Sequence, residues 1–401
     1  MPQPRPPVRL RVVTSHPIQY QVPVWRALAA REDVNLEVWY ASRQGLEATA
    51  DEEFGLSIRY DVDLLGGYRA RFFRNWGRRT GNGPLRYINP GLWQALGEGG
   101  YDVAFFHGLH YATHAVGMRA AQRAGAGVMV RTETYDLGQP ERGLKRRLRN
   151  AYYRTVLAPV DRALTIGTAN RAFYQCLGLE PYRLGWAPYV VDDAYFRAAR
   201  EWLRGQEATL RAQWQLPPDR PVLLFAGKLI PKKQPARLLE AFLSSAMRTQ
   251  WALLIVGEGA LKPELERQAA EAPDAVVRFA GFLNQSRMPE AYAVADALAL
   301  PSAYQETWGL VVNEALAFGC AAIVSDRVGS APDLVAEQTG EVFPYHDVDA
   351  LRAILDRWVQ EPERVAQYQA AAAAAIAPYT VERQAEVIAR EARYLAWSAG
   401  W

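Results

Sequence analysis

An apolar run ending at Leu300 gives way to Pro301-Ser302-Ala303-Tyr304-Gln305-Glu306-Thr307-Trp308-Gly309, after which apolar spacing predicts a helix over 310–318 that stops at Gly319. Backbone N–H groups at a helix start are unpaired and carry partial positive charge. The amides of Gly309, Leu310 and Val311 can therefore hold a diphosphate without any cationic side chain. Glu306 stands just before that point and Glu314 lies inside the helix. Two carboxylates beside an anion site are electrostatically unfavourable unless each accepts from hydroxyl donors, and a nucleotide sugar brings such donors on its hexose and its ribose. Taken alone, the pair equally fits a loop acid and a solvent-facing helix glutamate.

A second segment shifts that balance. Phe225-Ala226-Gly227-Lys228-Leu229-Ile230-Pro231-Lys232-Lys233 leaves the carboxyl end of a predicted strand, the edge at which open parallel sheets bind ligands. Lysines there neutralise a leaving diphosphate as charge builds up in the transition state; a solvated basic turn is the plainer alternative. In the first half, His16, Pro17 and Gln19 follow the first predicted strand, while His107, Gly108 and His110 follow a later one. His16 or Gln19 would touch donor phosphate or acceptor hydroxyl, unless Pro17 only stiffens a turn and His16 satisfies a carbonyl. The histidines at 16, 107, 110 and 114 form no HExxH or other tight ligand pattern, so no metal is expected. Asp61-Val62-Asp63 matches the Asp-x-Asp pattern of metal-dependent transferases, but it stands in a short alternating segment far from the other motifs.

Short β-rich apolar runs alternate with longer helical patterns throughout, the signature of parallel sheets with crossover helices. Strands are predicted at 10–14, 36–41, 103–107, 128–132 and 163–167. After the turn Leu216-Pro217-Pro218-Asp219 they resume at 222–227, 252–257, 276–280, 297–300 and 321–325. The chain has 401 residues, half of them apolar, too many for one ordinary core. The reading is α/β with two Rossmann-like domains over 1–195 and 216–378, a linker over 196–215, and C-terminal helices over 379–401. Those helices carry Tyr394, Trp397 and Trp401, which want a surface, with the N-terminal domain as candidate.

A net charge of +3 from 46 basic and 43 acidic residues excludes the overall field of a nucleic-acid binder. Two distant cysteines, Cys176 and Cys320, argue against a disulfide framework or thiolate metal site. No signal-peptide segment and no apolar run of ~20 residues stands out, so a cytoplasmic protein is expected, soluble or peripheral at the inner face of a membrane.

The run Glu306-Thr-Trp-Gly-Leu-Val-Val-Asn-Glu314-Ala-Leu-Ala-Phe-Gly319, preceded by Gly227-Lys228…Lys233 and Gly257-Glu258-Gly259, resembles the nucleotide-binding half of retaining glycosyltransferases of family 4. The similarity covers roughly 222–342 with the motifs in order. It implies a GT-B fold, two Rossmann-like domains facing across a cleft. It also implies that Glu314 holds the ribose hydroxyls, that Glu306 meets the transferred hexose, that the amides of Leu310 and Val311 bind the diphosphate, and that Lys228 and Lys233 clamp it. The family usually has an arginine where Lys228 stands, so a planar bidentate grip becomes a point charge. The segment Arg278 to Leu283 resembles the lining of the base pocket, with Phe279 and Phe282 fitting either pocket or core.

The stretch His16-Pro17-Ile18-Gln19-Tyr20 resembles a bacterial subset of the family that carries this signature in place of the usual glycine-rich loop. Many relatives place a sugar-contacting histidine where this chain has Glu133, which then accepts from a sugar or acceptor hydroxyl or pairs with Arg131. In such a fold His107 and His110 would look into the cleft. Two basic stretches, 69–79 and 142–154, carry interleaved aromatic and apolar residues. The second has the helical spacing of an interfacial helix, and either could dock anionic lipid headgroups or a phosphorylated acceptor, with a solvated face over core-facing apolar residues as the commoner arrangement.

The function expected is retaining, metal-independent transfer from an NDP-sugar to a sugar-containing or lipid-linked acceptor, with no cofactor. The alternative is a sugar-nucleotide-binding protein without transfer. A dinucleotide oxidoreductase is disfavoured because no Gly-x-Gly-x-x-Gly follows the first strand.

Overall fold

The computed structural model describes residues 5–46, 49–51, 56–58, 60–78, 81, 83–134 and 143–398. Arg79, Tyr135, Asp136, Arg142 and Trp401 lie outside the described residues. The first half supplies β1 (Val8–Thr14), β2 (Val34–Tyr40), β3 (Thr49–Asp51), β4 (Leu56–Ile58), β5 (Ala70–Phe72), β6 (Val103–His107), β7 (Gly127–Arg131), β8 (Arg162–Thr165) and β9 (Leu184–Trp186). Seven of them pair in the order β5-β2-β1-β6-β7-β8-β9, while β3 and β4 pair antiparallel with each other. The second half supplies β10 (Val222–Ala226), β11 (Ala252–Val256), β12 (Val276–Gly281), β13 (Ala297–Leu300), β14 (Ala321–Ser325) and β15 (Gly340–Phe343), in the order β12-β11-β10-β13-β14-β15.

Both larger sheets are parallel. Helices cover both faces, so central strands read as continuous apolar runs: β10, β11 and β14 are buried at every position. The order reverses at β1 in one sheet and at β10 in the other, and chains leaving the carboxyl ends of strands at such a reversal leave a crevice between them. His16 follows β1, Lys228 follows β10 and Glu306 follows β13, so the topology alone brings the chemistry-bearing loops to sheet edges suited to ligands.

All ten predicted strands are present, with ends shifted by at most two residues. The missed strands β3, β4, β5, β9 and β15 are three or four residues long, too short to show a period. The segment expected as a linker is largely helical, Asp193–Leu203 and Glu207–Gln213, and Phe196, Leu203 and Leu210 bury themselves in the core of the second unit. The charge of this stretch suits a connector, but tertiary burial of its three apolar anchors makes it part of a domain.

The chain then returns. Helix Val381–Ser398 buries Val381, Ala385, Ile388, Ala389 and Ala392 among β1 and β2 residues of the first unit. Arg162 lies over the Tyr394 ring at 4.9 Å, and Arg5 over Trp397 at 4.7 Å. Cross-unit contacts join the halves: Asn313 Nδ2 donates to the Tyr189 carbonyl (3.2 Å), and Thr168 donates from its amide and hydroxyl to Asp333 (2.9 and 2.5 Å). Gly167 is required at this seam, because a Cβ there would meet the Trp308 ring at 2.3 Å.

Candidate active site

Helix Leu310–Ala317 is entered through Gly309, whose φ of 85° only glycine adopts cheaply. A Cβ there would also press on Leu300 Cδ2 at 2.8 Å. Just upstream Gln305 sits at φ 54°, turning the chain so that Glu306 faces the lysines. Ser302 Oγ donates to Glu306 Oε2 (2.8 Å), and Lys233 forms an ion pair with the same oxygen. Buried Trp308 locks this loop onto the helix, its indole N–H donating to Asn313 Oδ1 (2.7 Å).

The lysine loop is held by a second glycine device. The Leu229 amide donates to the Glu258 carbonyl and the Leu261 amide to the Leu229 carbonyl, so the loops after β10 and β11 run against each other. A Cβ on Gly257 (φ 143°) would sit 1.9 Å from the Gly227 carbonyl oxygen, and one on Gly259 2.5 Å from that of Leu229. These glycines thus serve close backbone approach, which fixes where Lys228 leaves the sheet.

Two adjoining cavities occupy the cleft, of about 450 Å³ and 390 Å³. Lys228, Gly227, Leu310 and Val311 line both, Glu314 lines the first and Glu306 with Lys233 the second. Glu314 accepts from the Tyr292 hydroxyl (2.6 Å), and burial pushes its carboxyl up to about 7, the phenol bond offsetting part of that. It is therefore a cleft residue and not a solvent-facing one.

Residues 206–375 match the family model for glycosyl transferases group 1, and residues 11–189 match that for the glycosyl transferase 4-like domain. The chain belongs to the GT-B glycosyltransferases. HepE of Anabaena, solved in complex with UDP, superimposes with a TM-score of 0.69 at 16% identity, covering 96% of this chain and 99% of that one. A glycosyltransferase of Rickettsia africae gives 0.72 at 12% identity, covering 97% and 98%; at such identities the likeness speaks for the fold. Among curated proteins, a D-inositol 3-phosphate glycosyltransferase of Thermomonospora curvata is 32% identical over 61% of this chain and 56% of its own length. A GDP-mannose-dependent alpha-mannosyltransferase of Mycobacterium tuberculosis is 31% identical over 48% and 47%. The chain spans about half the length of these curated relatives.

In this GT-B protein the first unit lines the cleft through side chains. His16 and Gln19 face the larger cavity together with Gln44 and Tyr60, opposite Gly257, Phe282 and Asn284 of the second unit. Burial, with Arg86 nearby, pushes the His16 imidazole down to about 4, so it is neutral at pH 7, and Ser15 Oγ pairs with its Nδ1 at 2.9 Å. Gln19 Oε1 is buried without a hydrogen-bond partner among the described residues. Glu133 faces the smaller cavity and accepts from the hydroxyls of Tyr20 (2.7 Å) and Tyr189. Arg131 does not form an ion pair with it; the guanidinium is buried against the Tyr189 ring at 4.1 Å, leaving a phenol between the two charges.

Two expected cleft residues are elsewhere. His107 is buried between Trp25 and Phe105, with Nδ1 toward the Gln21 amide (3.3 Å), and burial drives its basicity well below the usual range. His110 sits against the Tyr111 ring and lines neither cavity. The last residue of a strand points alternately in and out of the sheet, and here the core took it. Asp61 and Asp63 lie outside any strand. Asp61 accepts from Ser286 across the cleft, and Asp63 accepts from the amides of Leu65 and Gly66 (3.0 Å each).

Tyr20, Tyr189, Tyr292 and Ser302 are the functional partners that sequence reasoning passed over. Tyr20, within the His16 motif, and Ser302, four residues before Glu306, stand in stretches that the sequence singles out; Tyr189 and Tyr292 do not.

Proposed function

We propose that the protein is a retaining glycosyltransferase that moves a sugar from an NDP-sugar to a hydroxyl of a sugar-containing or lipid-linked acceptor, without a metal ion. The observation that carries this reading is the linear order along the cleft: Glu314 at one end, Lys228 with the helix start at Leu310 and Val311 in the shared middle, and Glu306 with Lys233 at the other end. A nucleotide sugar has the same order, ribose, diphosphate, hexose, and each part meets chemistry suited to it. Carboxylates accept from hydroxyls, while amides and ammonium groups hold phosphate oxygens.

Among the described residues, neither carboxylate that lines the smaller cavity stands free as a covalent nucleophile, since Glu306 is engaged by Lys233 and Ser302 and Glu133 by two phenols. A same-face displacement fits this site. The bond from the anomeric carbon to the diphosphate oxygen breaks, the acceptor oxygen bonds to that carbon, and the acceptor proton passes to the departing phosphate oxygen. Lys228 and Lys233 stabilise the charge that builds on the diphosphate, and Glu306 orients the hexose. Glu133, on the first-unit wall, accepts from an acceptor or sugar hydroxyl. Charge compensation by lysines removes the need for a divalent cation.

The test is nucleotide release from UDP-, GDP-, ADP- and dTDP-sugars with and without EDTA, UDP and GDP first because of the relatives' names, with D-inositol 3-phosphate among the acceptors. EDTA-resistant release with an unchanged anomeric configuration is expected. An inverted product rules out the same-face step, and binding without turnover on any acceptor favours a sugar-nucleotide-binding protein.

A further inference from the structure

Helix Gly143–Leu157 presents an apolar stripe that none of the described residues covers. Leu144, Leu148 and Tyr152 are 70%, 63% and 44% exposed. They recur every fourth residue, so they share one side, and at about 100° per residue that side lies ~135° around the helix from Tyr153, Val156 and Leu157. Those last three are the anchors: Val156 and Leu157 are buried in the first unit's core, and Tyr153 packs edge-on against Phe173 at 5.7 Å. Arg154 donates to the carbonyls of Leu177 and Cys176, and Arg119 donates to that of Thr155, tying down the same end. The helix is fixed by its foot and projects its amino-terminal turns outward. The expectation that its apolar residues face the core holds only for the last turn.

The charge pattern says what fits the stripe. Residues 143–157 carry Lys145, Arg146, Arg147, Arg149 and Arg154 and no acid. On the helical wheel Lys145 and Arg149 flank the stripe on one side and Arg147 on the other. Apolar residues with cations along both margins match an anionic lipid surface, where the side chains of the stripe enter the acyl boundary and the cations meet headgroup phosphates. A second copy of this chain is a poor occupant, since five like charges would face five. An RNA would engage the cations but would leave the stripe in water.

We infer that helix Gly143–Leu157 docks the first unit on an anionic phospholipid surface through Leu144, Leu148 and Tyr152. The surface stands on the helix alone and does not depend on sugar transfer.

The experiment is flotation of the full chain with vesicles of phosphatidylcholine alone or with phosphatidylglycerol, comparing wild type with Leu144→Glu/Leu148→Glu and with Lys145→Glu/Arg147→Glu. These positions are exposed, and thermal melting of each variant checks that the fold is kept. Wild type should float with anionic vesicles, less so in high salt, and each double variant should bind at least about tenfold more weakly. Equal flotation with neutral vesicles, no flotation of wild type, or retention by the apolar variant overturns the proposal. So does wild-type self-association that Leu144→Glu/Leu148→Glu abolishes, which would assign the stripe to a second copy, or capture by RNA in its place. Nucleotide release in solution, unchanged in both variants, separates this result from the fate of the transfer reading.

Discussion

The two walls of the cleft are built on different principles. The second unit shapes its wall with backbone devices: Gly309 opens a helix start, and Gly257 and Gly259 let two loops touch so that Lys228 leaves the sheet at one place. The first unit shapes its wall with side chains collected from distant positions, Glu133 held by Tyr20 and Tyr189, His16 beside Ser15, Gln19 with a buried carbonyl oxygen that has no partner among the described residues. Backbone binding suits the part of a donor that never varies, the diphosphate. Side-chain binding suits the part that differs between enzymes of one fold, the acceptor.

If that division holds, the largest losses come from the backbone devices. Gly257→Ala places a methyl against a carbonyl oxygen at a φ of 143°, and should destabilise by about 3 kcal/mol or more while abolishing nucleotide binding, read by denaturant unfolding and calorimetry. Lys233→Ala removes both a phosphate cation and the partner of Glu306; kcat should fall by roughly 10²–10³-fold with nucleotide affinity reduced much less. Lys233→Arg should recover part of that loss.

Glu314→Gln should raise the donor KM about tenfold, the cost of replacing a charged acceptor of hydroxyl bonds. The same variant sharpens a pH effect. The folded carboxyl titrates near 7 against an ordinary value of 4.5, so the native state keeps a proton that the unfolded chain has lost. Stability should therefore fall as pH rises from about 4.5 to about 7, and Glu314→Gln should flatten that slope in pH-dependent melting. Donor hydroxyls favour the ionised form, so nucleotide affinity should rise across pH 7 in wild type only. The smallest effect belongs to the first unit: Glu133→Gln should raise the acceptor KM roughly three- to tenfold and leave nucleotide affinity unchanged.

The same division explains what could be read in the sequence. The proposed diphosphate site is made by one loop and one helix, so it is written in a short stretch, and Glu306, Gly309 and Glu314 fall within nine residues. Parallel strands buried on both faces leave apolar runs, so the central strands were legible, whereas three-residue edge strands such as β5 and β9 carry no period. The partners that position the carboxylates were not legible. Tyr292 and Glu314 are 22 residues apart, and Tyr189 and Glu133 are 56 apart, so only the assembled fold pairs them. His107 failed for a related reason: whether the last strand residue faces cleft or core depends on Trp25 and Gln21, which come from another element.

The most direct measurement is calorimetric titration of UDP and GDP into wild type, Glu314→Ala and Glu133→Gln. One nucleotide should bind at 1:1 stoichiometry, weaken at least tenfold in Glu314→Ala, and bind Glu133→Gln as it binds wild type. Unchanged affinity in Glu314→Ala together with a loss in Glu133→Gln would place the nucleotide on the first unit and contradict the assignment of the two walls.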